Sequence, residues 1–239
     1  YFTTKLFTGN GGTNAITGVG FQPDWIWFKN RTSAQSHAIV DSVRGREGLQ
    51  SNATDAEYTL ASGKDFGTFD SDGFTVLTPE QLNSFNYNTG SIVAWNWKAG
   101  TSFTNDASST SIGSIDSAGS VSDISGFSIV SFTGTGSNGT IKHGLSTAPN
   151  LFIIKRLDAD NDWRVGSSAL TNFVKHVNLN TEAAQSDLAS AFNSTGPTTS
   201  VFSVGTSVST NADGGTYIAY CFSSIKGYSK VGSYTGNGS

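Results

Sequence analysis

The feature of this sequence that most constrains the fold is a duplication. An apolar segment at 23–29, PDWIWFK, recurs at 149–155 as PNLFIIK. A proline precedes the apolar run in both copies, which suits the start of a strand because proline has no N–H to donate and a fixed φ angle. A short apolar run between a turn signal and a charge predicts a strand that is covered on both faces. We therefore predict that these segments are the central strands of two homologous β-domains.

The flanking sequences recur in the same order and at nearly the same spacing. KLFTGNG at 5–11 matches VSFTGTG at 130–136, and GSIVAWNW at 90–97 matches GTYIAYCF at 215–222. The opening pattern returns once more as GSYTGNGS at 232–239. These matches predict a tandem array, in which residues 228–239 start a third repeat or form an inter-subunit segment.

The composition favours β-structure. The chain has 28 Gly, 16 Phe, 7 Tyr and 5 Trp, and few runs of Lys, Glu, Leu or Ala could sustain a long helix. The sequence predicts an all-β fold with two tandem β-sandwich domains, repeat 1 at 1–100 and repeat 2 at 126–227. The Ser/Thr/Gly-rich segment 101–125 is predicted to be a linker. The one helical candidate in the second domain is 181–192, with Thr181 as its cap.

Charge and hydropathy exclude two classes of partner. Charged residues are 13% of the chain and the net charge is −4, so no basic surface for a nucleic acid is expected. No apolar run approaches about 18 residues, which argues against insertion into a membrane. Cys221 is the single cysteine, so no disulfide within the chain can form, and strand alternation predicts that it is a small buried residue.

No motif points to catalysis or to a bound cofactor. His37, His143 and His176 lie far apart in the sequence and are predicted to be surface or turn residues. Neither a nucleophile elbow nor a phosphate-binding loop is present. A glycosidase needs two carboxylates across a cleft, whereas the few glutamates lie in polar stretches that indicate surface. We predict no enzymatic activity, no catalytic residue and no cofactor.

Alternating carboxylates at Asp158, Asp160 and Asp162 resemble part of a calcium-binding loop. The full motif fails, because Trp163 and Ala169 stand where an EF-hand requires glycine and an acid. A hairpin turn explains the same residues, as a turn also explains Asp70 and Asp72. No metal site is predicted, and calcium binding by the three aspartates is left open.

Alternating tryptophans offer a second candidate feature, for which two interpretations compete. Trp25 and Trp27 alternate along one strand, and Trp95 and Trp97 along another. Such rows can stack sugars, but they also suit a core. The core interpretation is favoured because the second copy has residues that are apolar but not consistently flat, namely Leu151, Ile153, Tyr220 and Phe222. No ligand-binding residue is assigned.

Taken together, several segments resemble a family of tandem-repeat virion-appendage proteins of phages and prophages, tail fibres among them, that is common in marine phages. The resemblance is carried by ITGVGFQPDWIWFKNR at 16–31, HAIVDSVRG at 37–45, DSDGFTV at 70–76, YIAYCF at 217–222 and GYSKVGSYTGNGS at 227–239. It covers nearly the whole chain, and the linker least. It implies a concanavalin-like or jelly-roll-like β-sandwich, and it transfers no catalytic or binding residue.

The resemblance implies a structural or recognition module of a tail fibre or receptor-binding protein that attaches to the host surface. The expected partners are other virion proteins, further copies of the chain and a host-surface glycan, and the expected location is the extracellular virion. Two alternatives are a purely structural decoration or spacer protein of capsid or tail, and a repeat of a secreted filament or adhesin.

Overall fold

The computed structural model describes residues 1–187 and 189–238. The strands of the first half are β1 (Phe2–Thr8), β2 (Asn14–Thr17), β3 (Trp25–Asn30), β4 (Ala38–Asp41), β5 (Glu47–Gln50), β6 (Tyr58–Thr59), β7 (Phe66–Asp70), β8 (Gly73–Val76) and β9 (Ser91–Trp97). They are followed by β10 (Thr101–Asn105), α1 (Ala107–Thr110), β11 (Ser117–Ser122), β12 (Phe127–Thr133), β13 (Gly139–Lys142), β14 (Leu151–Arg156), β15 (Arg164–Ser167), β16 (Lys175–Asn178), β17 (Ser186–Asp187), α2 (Ala189–Phe192), β18 (Val201–Val204), α3 (Val208–Asn211) and β19 (Thr216–Phe222). The predicted all-β fold is confirmed.

The two halves share one strand order. The large sheet of the first half runs β1-β9-β3-β4-β5-β6, and that of the second contains β12-β19-β14-β15-β16-β17 in the corresponding order. Each half also has a small sheet, β2-β8-β7 in the first and β13-β18 in the second. The proline-led strands β3 and β14 therefore occupy the same place, next to the last strand of their half.

The turn after the first strand of each half is held in the same way. Buried Asn86 accepts a hydrogen bond from the backbone N–H of Asn10 at 3.0 Å, and buried Asn211 accepts one from Thr135 at 2.8 Å. The glycine before each donor is required, because a Cβ atom on Gly9 would lie 2.1 Å from a backbone oxygen. The repeated Gly-rich motif thus has a structural role in both halves.

Each half has its own core between its large and small sheets. The buried rings there include those of Phe28, Phe66, Phe74 and Phe85 in the first half and Phe152, Phe192 and Phe202 in the second. Cys221 lies in the second core and is fully buried, as predicted, and burial raises the pKa of its thiol to about 12. The thiol therefore remains protonated and shielded in the folded protein.

A third core lies between the two large sheets and joins the halves. Trp25 from β3 stacks against Tyr220 from β19 and Phe127 from β12, with ring centroids 4.7 and 5.6 Å apart. Trp163 of the second half is fully buried in the same cluster, and its indole N–H donates to the backbone oxygen of Gln50 at 3.0 Å. The layers are therefore small sheet, large sheet, large sheet, small sheet.

Residues 101–125, predicted as a linker, instead form the hairpin of β10 and β11 with the short helix α1 between them. The hairpin extends the second large sheet beyond β12, in the order β10-β11-β12. Although the segment is poor in apolar residues, Phe103 and Val121 pack against the second core. Two well-placed side chains and a full ladder of backbone hydrogen bonds are enough to order it. The domain limits proposed at 1–100 and 126–227 stay predictions.

Two further segments differ from expectation or stay untested. The helix predicted over 181–192 is limited to α2, since Ser186–Asp187 pairs with β16 and Leu188 lies outside the described residues. Pairing within the sheet overrides the helix propensity of this segment. Residues 228–238 contain no strand and Ser239 lies outside the described residues, so a role as the start of a third repeat stays a prediction.

Candidate functional site

A patch of aromatic and apolar side chains lies on the first large sheet, where the second half stops covering it. Alternation along β1, β9 and β3 places Phe2, Leu6, Trp95, Trp97 and Trp27 on the same side of the sheet, and the register pairs Trp27 with Trp95. We call these five residues the aromatic face. Their backbone is fixed by the sheet, so the positions of the rings are set by the fold.

Burial on this side of the sheet is lowest at the edge strand β1. Trp25, which contacts the second half, is 2% exposed, and Trp27, Trp95 and Trp97 are partly buried. On the edge strand β1, Phe2 is 41% and Leu6 is 59% exposed. The aromatic face is therefore the solvent-facing continuation of the core between the large sheets.

Trp27 and Trp95 are held at a defined angle to each other. Their rings lie 6.2 Å apart with an interplanar angle of 81°. The indole N–H of Trp27 donates to Nδ1 of His37 at 2.9 Å, so the neutral His37 ring has its proton on Nε2. Burial lowers the pKa of His37, and the nearby charge of Lys29 lowers it further. The face thus combines flat apolar rings with one imidazole N–H donor.

The corresponding positions in the second half are buried. The register that pairs Trp27 with Trp95 in the first half pairs Ile153 with Tyr220 in the second. Ile153 is 6% exposed and Tyr220 is fully buried. The same scaffold therefore uses these positions as a core in one half and leaves them open to solvent in the other.

A family model described as a domain of unknown function, DUF7483, matches residues 1–239. The chain belongs to this family. No curated protein and no solved structure matches the chain. Within the part of the chain that the structure describes, no helix is long and apolar enough to cross a membrane.

The four tryptophans of the first half do not all fit the core interpretation, and they do not all fit the alternative of an exposed row that stacks sugars. Trp25 is core, as predicted. Trp27 and Trp97 pack against the core between the large sheets but keep part of their surface in solvent, and Trp95 lies further out. Alternation alone cannot separate these cases, because core and surface rings occupy successive positions on one side of the same strand.

The three aspartates of the acidic loop point to separate partners. The Asp158 carboxylate binds Arg156 at 2.8 Å, Asp160 accepts a hydrogen bond from the backbone N–H of Ala56 at 2.9 Å, and Asp162 accepts one from Asn180 at 2.9 Å. Among residues 1–187 and 189–238, no three His, Cys, Asp or Glu side chains are placed to hold a metal ion. The loop serves contacts with its own half and with the first half.

The turn that contains Asp70 and Asp72 is likewise held by hydrogen bonds. Asp72 accepts bonds from the backbone N–H groups of Gly20 and Gly18 at 2.6 and 3.0 Å, which lower its pKa. Asp70 accepts a bond from the Thr75 hydroxyl at 2.8 Å. Both carboxylates therefore stabilise a turn, as the sequence suggested.

The prediction that all three histidines lie on the surface or in turns is wrong for two of them. His143 is fully buried and His176 is 4% exposed. Nδ1 of His143 accepts a hydrogen bond from the backbone N–H of Leu145 at 3.1 Å, and Nε2 lies 3.2 Å from the backbone oxygen of Thr198. Burial lowers the pKa of both histidines. Backbone partners of this kind leave no signal in a sequence.

A buried ionic network at the interface between the halves is a further feature that the sequence did not reveal. The Asp41 carboxylate accepts hydrogen bonds from Nε of Arg44 at 2.7 Å and from the Tyr220 hydroxyl at 2.8 Å. Arg44 also contacts Glu57 at 3.2 Å. Burial alone would lower the pKa of Arg44, but the surrounding acidic groups raise it on balance, and burial raises that of Tyr220. The network therefore connects the two halves through hydrogen bonds.

Proposed function

We propose that the chain is a non-catalytic recognition module of a phage virion appendage, and that it attaches to a host-surface glycan through the aromatic face. The observation that carries this proposal is the asymmetry between the halves. Trp27 and Trp95 remain partly open to solvent, while their counterparts Ile153 and Tyr220 are buried. Partly exposed rings on a rigid sheet are typical of a surface that binds a ligand.

The chemistry of the aromatic face suits a sugar. An indole ring offers a flat apolar surface for the C–H side of a pyranose and has a polar edge nearby. The N–H at Nε2 of His37 adds a donor for a sugar hydroxyl. Because the rings of Trp27 and Trp95 are nearly perpendicular, they do not form one flat platform. The proposed ligand is therefore a bent glycan or a branch point rather than a flat, extended chain.

The composition of the face supports recognition without hydrolysis. None of the five residues that form it carries a carboxyl group, whereas glycoside hydrolysis ordinarily needs a pair of carboxylates. The proposed module would act in the extracellular virion, with other virion proteins and further copies of the chain as neighbours.

Trp95→Ala tests the proposal. Removing an aromatic ring from the centre of a binding surface costs about 2 kcal/mol, so we expect roughly 30-fold weaker glycan binding. A glycan array with the unaltered protein identifies the ligand, and titration calorimetry with that glycan measures the loss. The matched control is Tyr234→Ala, which removes a ring that is 95% exposed and outside the aromatic face.

Two results would count against this proposal. One is an array on which the folded protein binds no glycan, and the other is unchanged affinity in Trp95→Ala. A thermal unfolding scan of both variants shows whether a loss of binding reflects the removed ring or a disturbed fold.

A second candidate function, a structural spacer or decoration protein, is favoured by one observation. Strand β1 lies at the edge of its sheet and exposes Phe2 and Leu6, and an exposed apolar edge strand invites pairing with another chain. If this function holds, the protein self-associates in sedimentation velocity at micromolar concentration and Leu6→Asp makes it monomeric. A wild-type protein that stays monomeric throughout contradicts it.

A further inference from the structure

A groove with both polar and apolar lining lies in the other half of the molecule, far along the chain from the aromatic face. It runs across the end of the second large sheet, where β10, β12 and β14 end and β11 and β19 begin, and its volume is about 780 Å³. We call it the rim groove. Its lining includes Thr104, Asp116, Ser131, Thr133, Thr216 and Leu157.

The rim groove depends on the hairpin of β10 and β11. In the first half the corresponding edge of the sheet ends at β1, so no equivalent wall exists there. Its base is rigid, because the rings of Phe132 and Tyr217 stack 5.2 Å apart at 14°. The Tyr217 hydroxyl donates to the backbone oxygen of Val208 and accepts from the N–H of Ala212, both at 2.7 Å. The groove is therefore a built feature of the second half.

Several exposed polar groups of the groove have hydrogen-bonding capacity that the described residues do not use. Asp116 uses Oδ1 to accept a hydrogen bond from Ala107 at 2.8 Å. Across residues 1–187 and 189–238, neither its Oδ2 nor the hydroxyls of Thr104, Thr133 and Thr216 take part in a hydrogen bond. One carboxylate oxygen and three hydroxyls thus face the same groove with unused hydrogen-bonding capacity.

The charge of the residues that line the groove disfavours anionic ligands. Asp106 and Asp116 contribute two carboxylates, and the residues that line the groove include no Lys, Arg or His. An anionic ligand would be repelled, whereas a neutral polyhydroxylated ligand can donate to Asp116 and exchange hydrogen bonds with the threonines. The volume falls within the roughly 300–1,000 Å³ that is usual for small-molecule sites.

We propose that the rim groove is a binding site for a neutral oligosaccharide of two to three sugar units. Its hydroxyl groups donate to Oδ2 of Asp116 and bridge the hydroxyls of Thr104, Thr133 and Thr216. This site is separate from the aromatic face, and it does not depend on the function proposed for that face.

The double variant Asp116→Asn with Thr216→Val tests the site. The introduced asparagine keeps an oxygen for Ala107 but loses the charge, and the introduced valine keeps the shape of threonine without its hydroxyl. Saturation-transfer NMR and calorimetry are carried out with maltotriose, cellotriose and chitotriose, and with trigalacturonate as the anionic probe. We expect at least one neutral trisaccharide to bind, and the double variant to bind it at least 10-fold more weakly.

Trp95→Ala separates this site from the aromatic face. We expect binding at the rim groove to persist in Trp95→Ala. Thr235→Val changes an exposed threonine outside the groove and should leave trisaccharide binding unchanged. The proposal is overturned if no neutral trisaccharide binds to Trp95→Ala, if trigalacturonate binds as well as the neutral sugars, or if the double variant keeps full affinity. Loss of binding in Trp95→Ala to the glycan assigned to the aromatic face, with intact trisaccharide binding, would support both sites independently.

Discussion

Trp25→Ala is expected to lower the free energy of unfolding by about 3–5 kcal/mol, the range for removal of a buried aromatic side chain. Trp25 is 2% exposed and its ring contacts Tyr220, Phe127, Phe222 and Trp97 with centroid distances between 4.5 and 5.8 Å. The side chain joins the two large sheets, so its removal leaves a cavity at the interface of the halves. Urea unfolding followed by tryptophan fluorescence measures the loss.

Two controls define the effect of Trp25→Ala. Trp25→Phe should lower the free energy of unfolding by less than half as much as Trp25→Ala. It keeps a ring in place and removes a buried indole N–H that finds no hydrogen-bond partner among the described residues. Trp95→Ala should also cost less, since Trp95 is only partly buried. A loss below about 1 kcal/mol in Trp25→Ala would contradict the role of this ring in the interface.

The same unfolding experiment asks whether the halves unfold together. Cys221 lies in the core of the second half, and its buried thiol should react with a disulfide reagent only after unfolding. If the thiol becomes reactive at the urea concentration at which the fluorescence changes, the halves form one cooperative unit. Two separate transitions would mean that the shared core contributes little.

Asp41→Ala is expected to destabilise the protein by a similar amount, about 3–5 kcal/mol, because it removes one partner of a buried ion pair. The Asp41 side chain is fully buried and that of Arg44 is 5% exposed. Without Asp41, Glu57 is the one acidic partner of the guanidinium that remains among the described residues, and the Tyr220 hydroxyl loses its acceptor. Urea unfolding at neutral pH measures the change.

A double-mutant cycle separates the ion pair from other effects of Asp41→Ala. Combined with Arg44→Ala, the substitution should cost clearly less than the two single losses added together, since no uncompensated charge stays buried. Tyr220→Phe removes one hydroxyl and should cost about 1 kcal/mol. Asp55→Ala removes an exposed carboxylate and should change the free energy of unfolding by no more than about 0.5 kcal/mol. Additive losses at Asp41 and Arg44 would show that the pair is not coupled.

The sequence predicted the strand repeat well, because a duplicated pattern of proline, apolar run and charge fixes the place of a strand in its sheet. The expectation that β3 is covered on both faces holds at the start of the strand, where Trp25 and Ile26 are buried, whereas Trp27 is only partly buried. What covers the second face was not predictable. Alternation indicates that a face is apolar, but the partner, here Tyr220 of the other half, is selected by packing between segments far apart in the chain.

The hairpin and the candidate site are likewise features that sequence patterns alone could not predict. Low apolar content suggested a linker at 101–125, yet Phe103 and Val121 together with backbone pairing order it. Trp27 and Trp95 follow a core pattern, yet both keep part of their surface in solvent. The free groups of the rim groove come from β10, β12, β19 and the residue before β11, so no local motif could have revealed them.

The position of β9 and β19 within their sheets also determines when the molecule can fold during its synthesis. Each is the last strand of its half to be translated, yet each lies between two strands made earlier, so a large sheet cannot close until its half is complete. Trp25 leaves the ribosome well before Tyr220, and at typical translation rates it waits about 10–40 s for this partner. During that interval we expect part of this aromatic surface to stay uncovered, which favours binding by chaperones that shield hydrophobic segments.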